Sequence, residues 1–325
     1  MKCVVLGAGA WGTTIAHILA HKQDHTVVLW THELEVVFSC KQQQENTKYL
    51  PGFSLHTSLI VTSDLQKALQ DADYIFLALP VQYCDAVLQK VAPFITHQQS
   101  WIVLSKGVDC VSMQLPSDMI KKHCISNKIA LVMGPSFAVD LIQQKLTACV
   151  VATHDKMLFK KIHDLLATDY FHLFFTDDVA GVAWSAALKN ILALCMGVVQ
   201  GLGYTENTRA YVLTLGIQEL AKIVTVLGGK SETLIGLAGI GDIMLTAYSE
   251  KSKNFQAGIF LARGLSVQEY YKKNVTIPES FNTVLIVEKL QKKYNLHLPL
   301  CTFLSGLVQG TLPAQDLMQN IMCYN

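Results

Sequence analysis

Lys189 lies near the middle of a strongly apolar stretch, Trp184-Ser185-Ala186-Ala187-Leu188-Lys189-Asn190-Ile191-Leu192. Desolvation there disfavours the ammonium and moves its pKa toward the range in which an amine trades protons. Alternatively, only the stem is buried and the head reaches water or a carboxylate. Asp242, in Gly239-Ile240-Gly241-Asp242, is the obvious carboxylate partner, or else a simple helix N-cap. Lys106 follows the apolar run Trp101–Leu104 in Ser105-Lys106-Gly107. It stands either at the carboxyl end of a sheet, where doubly wound folds bind ligands, or on an ordinary exposed loop. Ser252-Lys253-Asn254 precedes the helical pattern Phe255–Arg263. A helix start with a cation beside it can hold a phosphate; the plainer reading is a capping serine with a solvated lysine. A proton donor and positive charge near a forming alkoxide are what reduction of a ketone by a nicotinamide requires.

A place for that nicotinamide is legible at the start of the chain. Gly7-Ala8-Gly9-Ala10-Trp11-Gly12 has the spacing G-x-G-x-x-G, follows an apolar strand pattern and precedes a helical one. Gly7 allows a tight turn, Gly9 lets backbone approach a pyrophosphate, and Gly12 lets the helix pack closely on the strand. The anion then sits on the helix N-terminus, where free N–H groups and the dipole favour it. The alternative is a glycine turn that binds nothing. The second strand ends at Trp30-Thr31-His32 with no acid at its tip, and Glu33 opens the next helix. An acid there would hold the ribose hydroxyls of NAD, so Thr31 and His32 lean toward NADP or dual use.

The elements that must position these groups divide the chain in two. Short apolar, β-branched runs occur at Cys3–Leu6, Thr26–Trp30, Leu59–Val61, Tyr74–Leu79, Trp101–Leu104 and Ile129–Met133. Helical patterns such as Trp11–Lys22, Leu65–Leu69 and Val81–Val91 lie between them. This alternation predicts a doubly wound parallel sheet, with Ala148–Ala152 and Phe171–Phe175 extending it. Beyond residue 178 strand runs nearly vanish, and helical patterns cover Val179–Gln200, Arg209–Leu227, Asn254–Arg263, Asn282–Tyr294 and Leu298–Gly306. The expected fold is α/β, with a Rossmann-type domain at 1–178 and an all-α substrate domain at 179–325.

Composition narrows the function classes. Of 325 residues, 51% are hydrophobic and 16% charged, enough apolar material for two cores and too little charge for disorder. A net charge of +1 gives no field to gather nucleic acid or an anionic membrane, so phosphate recognition must be local. Nine cysteines without a C-x-x-C pair, and eleven histidines without H-E-x-x-H, point to buried thiols in a reducing compartment and to no metal. Val179–Val199 is apolar enough to suggest a membrane span, but Lys189 and Asn190 at its centre favour a core helix. The start runs straight into the glycine turn, so no signal peptide is expected, and the sequon Asn274-Val275-Thr276 is read as unused.

Together these segments resemble the NAD(P)-dependent glycerol-3-phosphate dehydrogenase family over nearly the whole chain. The resemblance rests on the glycine loop through Thr13, Asn46-Thr47-Lys48-Tyr49-Leu50-Pro51-Gly52, Ser105-Lys106-Gly107 and Gly134-Pro135-Ser136-Phe137-Ala138. It continues through Ala187-Leu188-Lys189-Asn190, Gly201-Leu202-Gly203, the segment Gly236–Asp242 and Ser252-Lys253-Asn254. It implies that Lys189 is the general acid/base, with Lys106 and Asp242 as further catalytic groups. The cofactor, NAD or NADP, would be held by Gly7, Gly9, Ala10, Trp11, Gly12, Thr31, His32, Lys106, Ala138, Lys253 and Glu279. Substrate would meet Lys106, Gly134, Ser136, Lys189, Asn190, Asp242, Thr246, Ser252, Lys253 and Asn254. The family is a cytoplasmic homodimer that interconverts dihydroxyacetone phosphate and glycerol 3-phosphate for phospholipid synthesis.

The chain also departs from the family pattern. Lys253 stands where an arginine is usual, keeping the charge but losing the bidentate fork. Ala183 replaces a usual glutamate, Ser185-Ala186 a usual glycine pair, and Ser280 a usual glycine. Two other readings compete: a related hydroxy-acid or sugar-acid dehydrogenase, in which Ser252-Lys253-Asn254 has no phosphate to bind, and a dinucleotide-binding sensor without turnover.

Overall fold

A computed structural model describes residues 1–22, 25–124, 126, 128–273 and 277–322, which places the sequon Asn274-Val275-Thr276 and Cys323 outside the described residues. The chain forms two compact units, Met1–Val179 and Ala180–Asn325.

Among its described residues the first unit has ten strands: β1 (Lys2–Leu6), β2 (Thr26–Trp30), β3 (Glu45–Asn46), β4 (Leu50–Ser54), β5 (Ile60–Thr62), β6 (Tyr74–Leu77), β7 (Ser100–Val103), β8 (Ile129–Met133), β9 (Thr147–Ala152) and β10 (Phe171–Thr176). Eight of them form one sheet in the order β10-β9-β8-β7-β6-β1-β2-β5. The helices are α1 (Ala10–Ala20), α2 (Leu34–Gln43), α3 (Leu65–Leu69), α4 (Val81–Val91), α5 (Pro116–Cys124), α6 (Ala138–Ile142) and α7 (Lys156–Leu166). The strands read as unbroken apolar runs because helices cover the sheet, and β8 is buried at all five positions. β1 pairs with β2 on one side and β6 on the other, so the strand order reverses beside the glycine loop. That reversal is where open α/β sheets bind ligands.

The extension of the sheet differs from the all-parallel expectation. β9 runs antiparallel to β8, and β10 follows β9 in parallel. A parallel return needs a crossover of a dozen or more residues, usually through a substantial helix, and residues 134–146 carry only the short α6. The β3–β4 hairpin, a separate two-stranded sheet, was not legible as strand pattern because β4 carries Pro51 and Gly52 and is largely exposed.

The second unit is helical throughout its described residues: α8 (Val179–Gly201), α9 (Glu206–Val226), α10 (Ser231–Leu234), α11 (Asp242–Ala247), α12 (Lys253–Ala262), α13 (Val267–Lys273), α14 (Glu279–Tyr294), α15 (Pro299–Gln309) and α16 (Leu317–Ile321). α8 is long and apolar enough to cross a membrane, yet every residue from Gly181 to Val199 is buried within the protein. Its contact with α12 is unusually close. A Cβ on Gly197 would lie 2.0 Å from the Phe255 carbonyl oxygen, and one on Gly258 2.1 Å from that of Leu194. Gly201 meets Ala262 one turn later, so a ladder of small residues brings the two backbones together. Glu219 on α9, fully buried, accepts from the amides of Leu300 (2.7 Å) and Cys301 (2.8 Å). It thereby satisfies the first turn of α15, whose own N-cap, Leu298, offers no side-chain oxygen.

Residues 55–58, after the hairpin, are tied to α1. The His56 amide donates to His17 Nδ1 (3.1 Å), and Ser58 Oγ donates to the Ala20 carbonyl (3.4 Å). His17 Nδ1 cannot take a proton without losing that bond. Burial, and then the neighbouring His21 and His56, push His17 down to about 4 from an ordinary 6.5. Between these values the unfolded chain binds more protons than the folded one, so this contribution to stability is complete above 6.5 and is lost as pH falls toward 4. Thermal denaturation from neutral to mildly acidic pH should therefore fall more steeply for the wild type than for His17→Gln. Equal slopes would show that His17 is not a source of the acid sensitivity.

Candidate active site

In the first unit the glycine loop is built by close approach. Gly7 has φ +113°, and a Cβ there would lie 2.6 Å from the Ala78 carbonyl oxygen at the end of β6. A Cβ on Gly12 would lie 2.0 Å from the Gly7 carbonyl oxygen, so α1 can begin so near the strand only with glycine there. Gly9 is the N-cap of α1 and brings no side chain to its first turn, and a Cβ at Gly9 would meet no atom of the described residues within 4 Å. The open side of the loop is thus at Gly9, as a cradle for an anionic group requires, and the residues fit a dinucleotide pyrophosphate.

One residue holding this loop had no role assigned from sequence. Asn46, fully buried in β3, donates through Nδ2 to the Ala8 carbonyl (2.8 Å) and to Thr13 Oγ1 (2.8 Å). Its Oδ1 accepts from the Tyr49 amide (3.1 Å). Asn46 belongs to a stretch that carries the family resemblance, but only tertiary packing reveals why an amide is needed. At the tip of β2, Thr31 is buried and accepts from the Glu33 amide (3.2 Å), while His32 is exposed.

Lys106 lies just beyond β7 and donates to the Gly134 carbonyl (3.2 Å), just beyond β8. Ser136 Oγ donates to the same oxygen (3.0 Å). The carboxyl ends of adjacent strands thus bring Lys106, Gly134 and Ser136 together. Ala138 opens α6, and its carbonyl accepts from Thr14 on α1 (3.4 Å).

In the second unit Lys189 is 8% exposed, and its Nζ donates to Asp242 Oδ1 (2.6 Å) and Thr246 Oγ1 (3.0 Å). Asp242 and Thr246 are one turn apart on α11, on one face of the helix. Thr246 gives its own proton to the Asp242 carbonyl (2.7 Å), which leaves its oxygen lone pairs toward the lysine. Asp242 is only 1% exposed and is not an N-cap; that position is Gly241, the last residue of a π-helical turn at Leu237–Gly241. A Cβ on Gly239 would strike the Leu234 carbonyl oxygen at 1.8 Å, so this glycine-rich turn sets where α11 begins.

Neighbouring residues extend the cluster. Asn190 Nδ2 donates to Glu279 Oε2 (2.7 Å), and Asn254 Oδ1 accepts from the Ser280 amide (3.0 Å), so α8 and α12 both fasten to the start of α14. Ser252 caps α12, accepting from the Phe255 amide (3.3 Å), and Lys253 is exposed on its first turn. Ser185 and Ser280, two of the departures from the family pattern, are fully buried, and their hydroxyls have no hydrogen-bond partner among the described residues. Orphaned hydroxyls of this kind cost stability rather than add it.

The loop geometry separates two glycines that look alike in sequence. Gly12→Ala should destabilise the first unit, because the new methyl meets main chain and not a movable side chain. Gly9→Ala should melt as wild type does, within about 0.5 kcal/mol, while weakening dinucleotide binding. Thermal melts and cofactor titration of both variants test this, and a tolerated Gly12→Ala would contradict the packing described.

Comparison with known proteins agrees with this architecture. Residues 2–159 match the family described as NAD-dependent glycerol-3-phosphate dehydrogenase N-terminus, and residues 178–319 match its C-terminus. The glycerol-3-phosphate dehydrogenase [NAD(P)+] of Syntrophomonas wolfei is 34% identical over 99% of this chain and 94% of its own length. That of Carboxydothermus hydrogenoformans is 33% identical over 99% and 96%. The crystal structure of glycerol-3-phosphate dehydrogenase from Coxiella burnetii superposes with a TM-score of 0.90 at 28% identity, covering 99% of this chain and 98% of that one. With both halves matched in order and relatives aligned end to end, the chain belongs to the NAD-dependent glycerol-3-phosphate dehydrogenase family.

Proposed function

We propose that this chain is an NAD(P)-dependent sn-glycerol-3-phosphate dehydrogenase that interconverts dihydroxyacetone phosphate and glycerol 3-phosphate. The observation that carries the reading is the buried Lys189 ammonium on the strongly apolar α8, held by Asp242 and Thr246 of α11. A lysine so costly to bury without a carboxylate is hard to explain as packing alone. In this reading the first unit, through Gly7, Gly9, Ala10, Trp11 and Gly12, holds the dinucleotide, with Thr31, His32 and Ala138 beside it.

A reduced nicotinamide, when bound, supplies hydride to the ketone carbon. As charge develops on the ketone oxygen, Lys189 Nζ gives it a proton, completing the alcohol. The neutral amine left behind is reprotonated from solvent, which the Asp242 carboxylate favours. Lys106 supplies a second positive charge for the oxygen. Lys253, Asn254 and the start of α12 grip the substrate phosphate, the helix dipole adding to the lysine charge. The pinning of Asn254 Oδ1 by the Ser280 amide aims its Nδ2 donor elsewhere, which suits an anion. Asn190 and Glu279 complete the polar wall. The same reading takes the chain to be a cytoplasmic homodimer that supplies glycerol phosphate for phospholipid synthesis.

The test is NADH or NADPH oxidation with dihydroxyacetone phosphate. Lys189→Met should lower kcat by roughly 10²–10⁴-fold, the usual worth of a positioned acid. Because this variant removes the ammonium that Asp242 meets in the core, the Lys189→Met/Asp242→Asn pair should be assayed alongside and should recover stability without recovering turnover. No oxidation by the wild type, despite cofactor binding, would sink the substrate assignment and favour the sensor. Lys253→Arg, which restores the bidentate fork, should lower KM for the phosphorylated ketone several-fold with little change in kcat; an unchanged KM would remove Lys253 from the phosphate site.

A further inference from the structure

The tip of β2 carries an arrangement that bears on the choice between the two dinucleotides. In doubly wound folds an acid about 20 residues beyond the glycine motif holds the ribose hydroxyls of NAD, and a cation nearby accommodates the 2′-phosphate of NADP. Glu33 stands at that distance, as N-cap of α2, yet its side chain does not cap the helix. The hairpin has captured it instead. Lys48 Nζ donates to Glu33 Oε2 (2.5 Å), and Tyr49 Oη donates to Glu33 Oε1 (2.7 Å). Lys48 also meets Glu35, and its ammonium lies 5.3 Å from the centre of the Tyr49 ring.

The two ends of this pair are not equally placed. The Glu33 side chain is 19% exposed and that of Lys48 43%, so the carboxylate is fixed against the protein while the lysine keeps half its surface in water. A carboxylate satisfied on both oxygens and neutralised by a cation is a weak acceptor for ribose hydroxyls. It also no longer repels an incoming phosphate. The lysine, on a flexible stem, can exchange one anion for another.

We infer that Lys48 selects the cofactor: it is the counterion of Glu33 when NAD is bound and turns to the 2′-phosphate when NADP is bound. Carboxylate and phosphate thus compete for one ammonium. The inference rests on the reading of the first unit as a dinucleotide-binding domain. Glu35, 66% exposed, is a weaker rival because water screens it. Asn46 donates to the glycine loop and accepts from the Tyr49 amide, so the turn that carries Lys48 is fastened to that loop.

The experiment is equilibrium binding of NADH and of NADPH to the full chain without substrate, followed by nicotinamide fluorescence. Lys48→Met should weaken NADPH by roughly tenfold or more, the worth of one charge-assisted hydrogen bond, and change NADH by less than about threefold. Glu33→Gln, which removes the rival anion, should move the ratio the other way, tightening NADPH several-fold. Equal weakening of both cofactors by Lys48→Met, or no change in the ratio with either variant, would overturn the selection role and leave dinucleotide binding intact. Failure of the wild type to bind either cofactor would overturn the dinucleotide reading itself, and this inference with it.

Discussion

The pairing of Lys189 with Asp242 is the constraint on which the second unit depends. A charge buried to this degree is tolerated only with a partner, and a buried pair repays its desolvation only where geometry is tight and the remaining donors and acceptors are satisfied. Thr246 meets that condition by giving its proton backward along α11 and accepting from the lysine. The π-helical turn before Asp242 and the buried course of α8 bring the two charges to 2.6 Å. Loss of either partner removes the opposite charge that offsets the other's burial, so site and stability are coupled here in a way that they are not at Lys253.

The close contact of α8 with α12 has a functional reading of the same kind. Gly197, Gly201 and Gly258 carry no chemistry, but they bring together the backbones of the helix that bears Lys189 and the helix that begins at Lys253 and Asn254. The links from Asn190 to Glu279 and from Asn254 to Ser280 then lock both helices to α14. Polar groups assigned to substrate are thereby attached to rigid elements on both sides, which is what holding a reactant in register demands. In the first unit the β3–β4 hairpin has the corresponding duty. It reaches the glycine loop through Asn46 and the β2 tip through Lys48 and Tyr49, and the segment that follows it reaches α1 through His56.

Much of this was legible in the residues. The apolar runs of β1, β2, β6, β7 and β8 and the helical patterns between them marked the doubly wound sheet, because a strand buried on both faces has a local signature. The glycine spacing marked the loop, and an ionisable residue inside an apolar helix marked Lys189. The hairpin was hidden because a short, exposed pair containing Pro51 and Gly52 resembles a loop. Asn46 was hidden because a buried asparagine looks in sequence like any turn residue. Thr246 and Glu279 came from family resemblance alone, since nothing local sets them apart from ordinary helix residues.

By itself the sequence determined the order of elements, the division into a strand-rich and a helical half, the glycine spacing and the candidate reactive groups. Those features follow from hydrophobic period and from backbone constraints that act over a few residues. Only the tertiary structure decided that β9 turns back against β8, that Lys189 meets a carboxylate 53 positions away, that Asn46 reaches Ala8 across 38, and that Glu33 is held by Lys48 rather than left open. Each of these is a pairing of polar or backbone groups far apart in the chain. Its free energy exists only after packing has excluded water from both partners, so no local pattern records it.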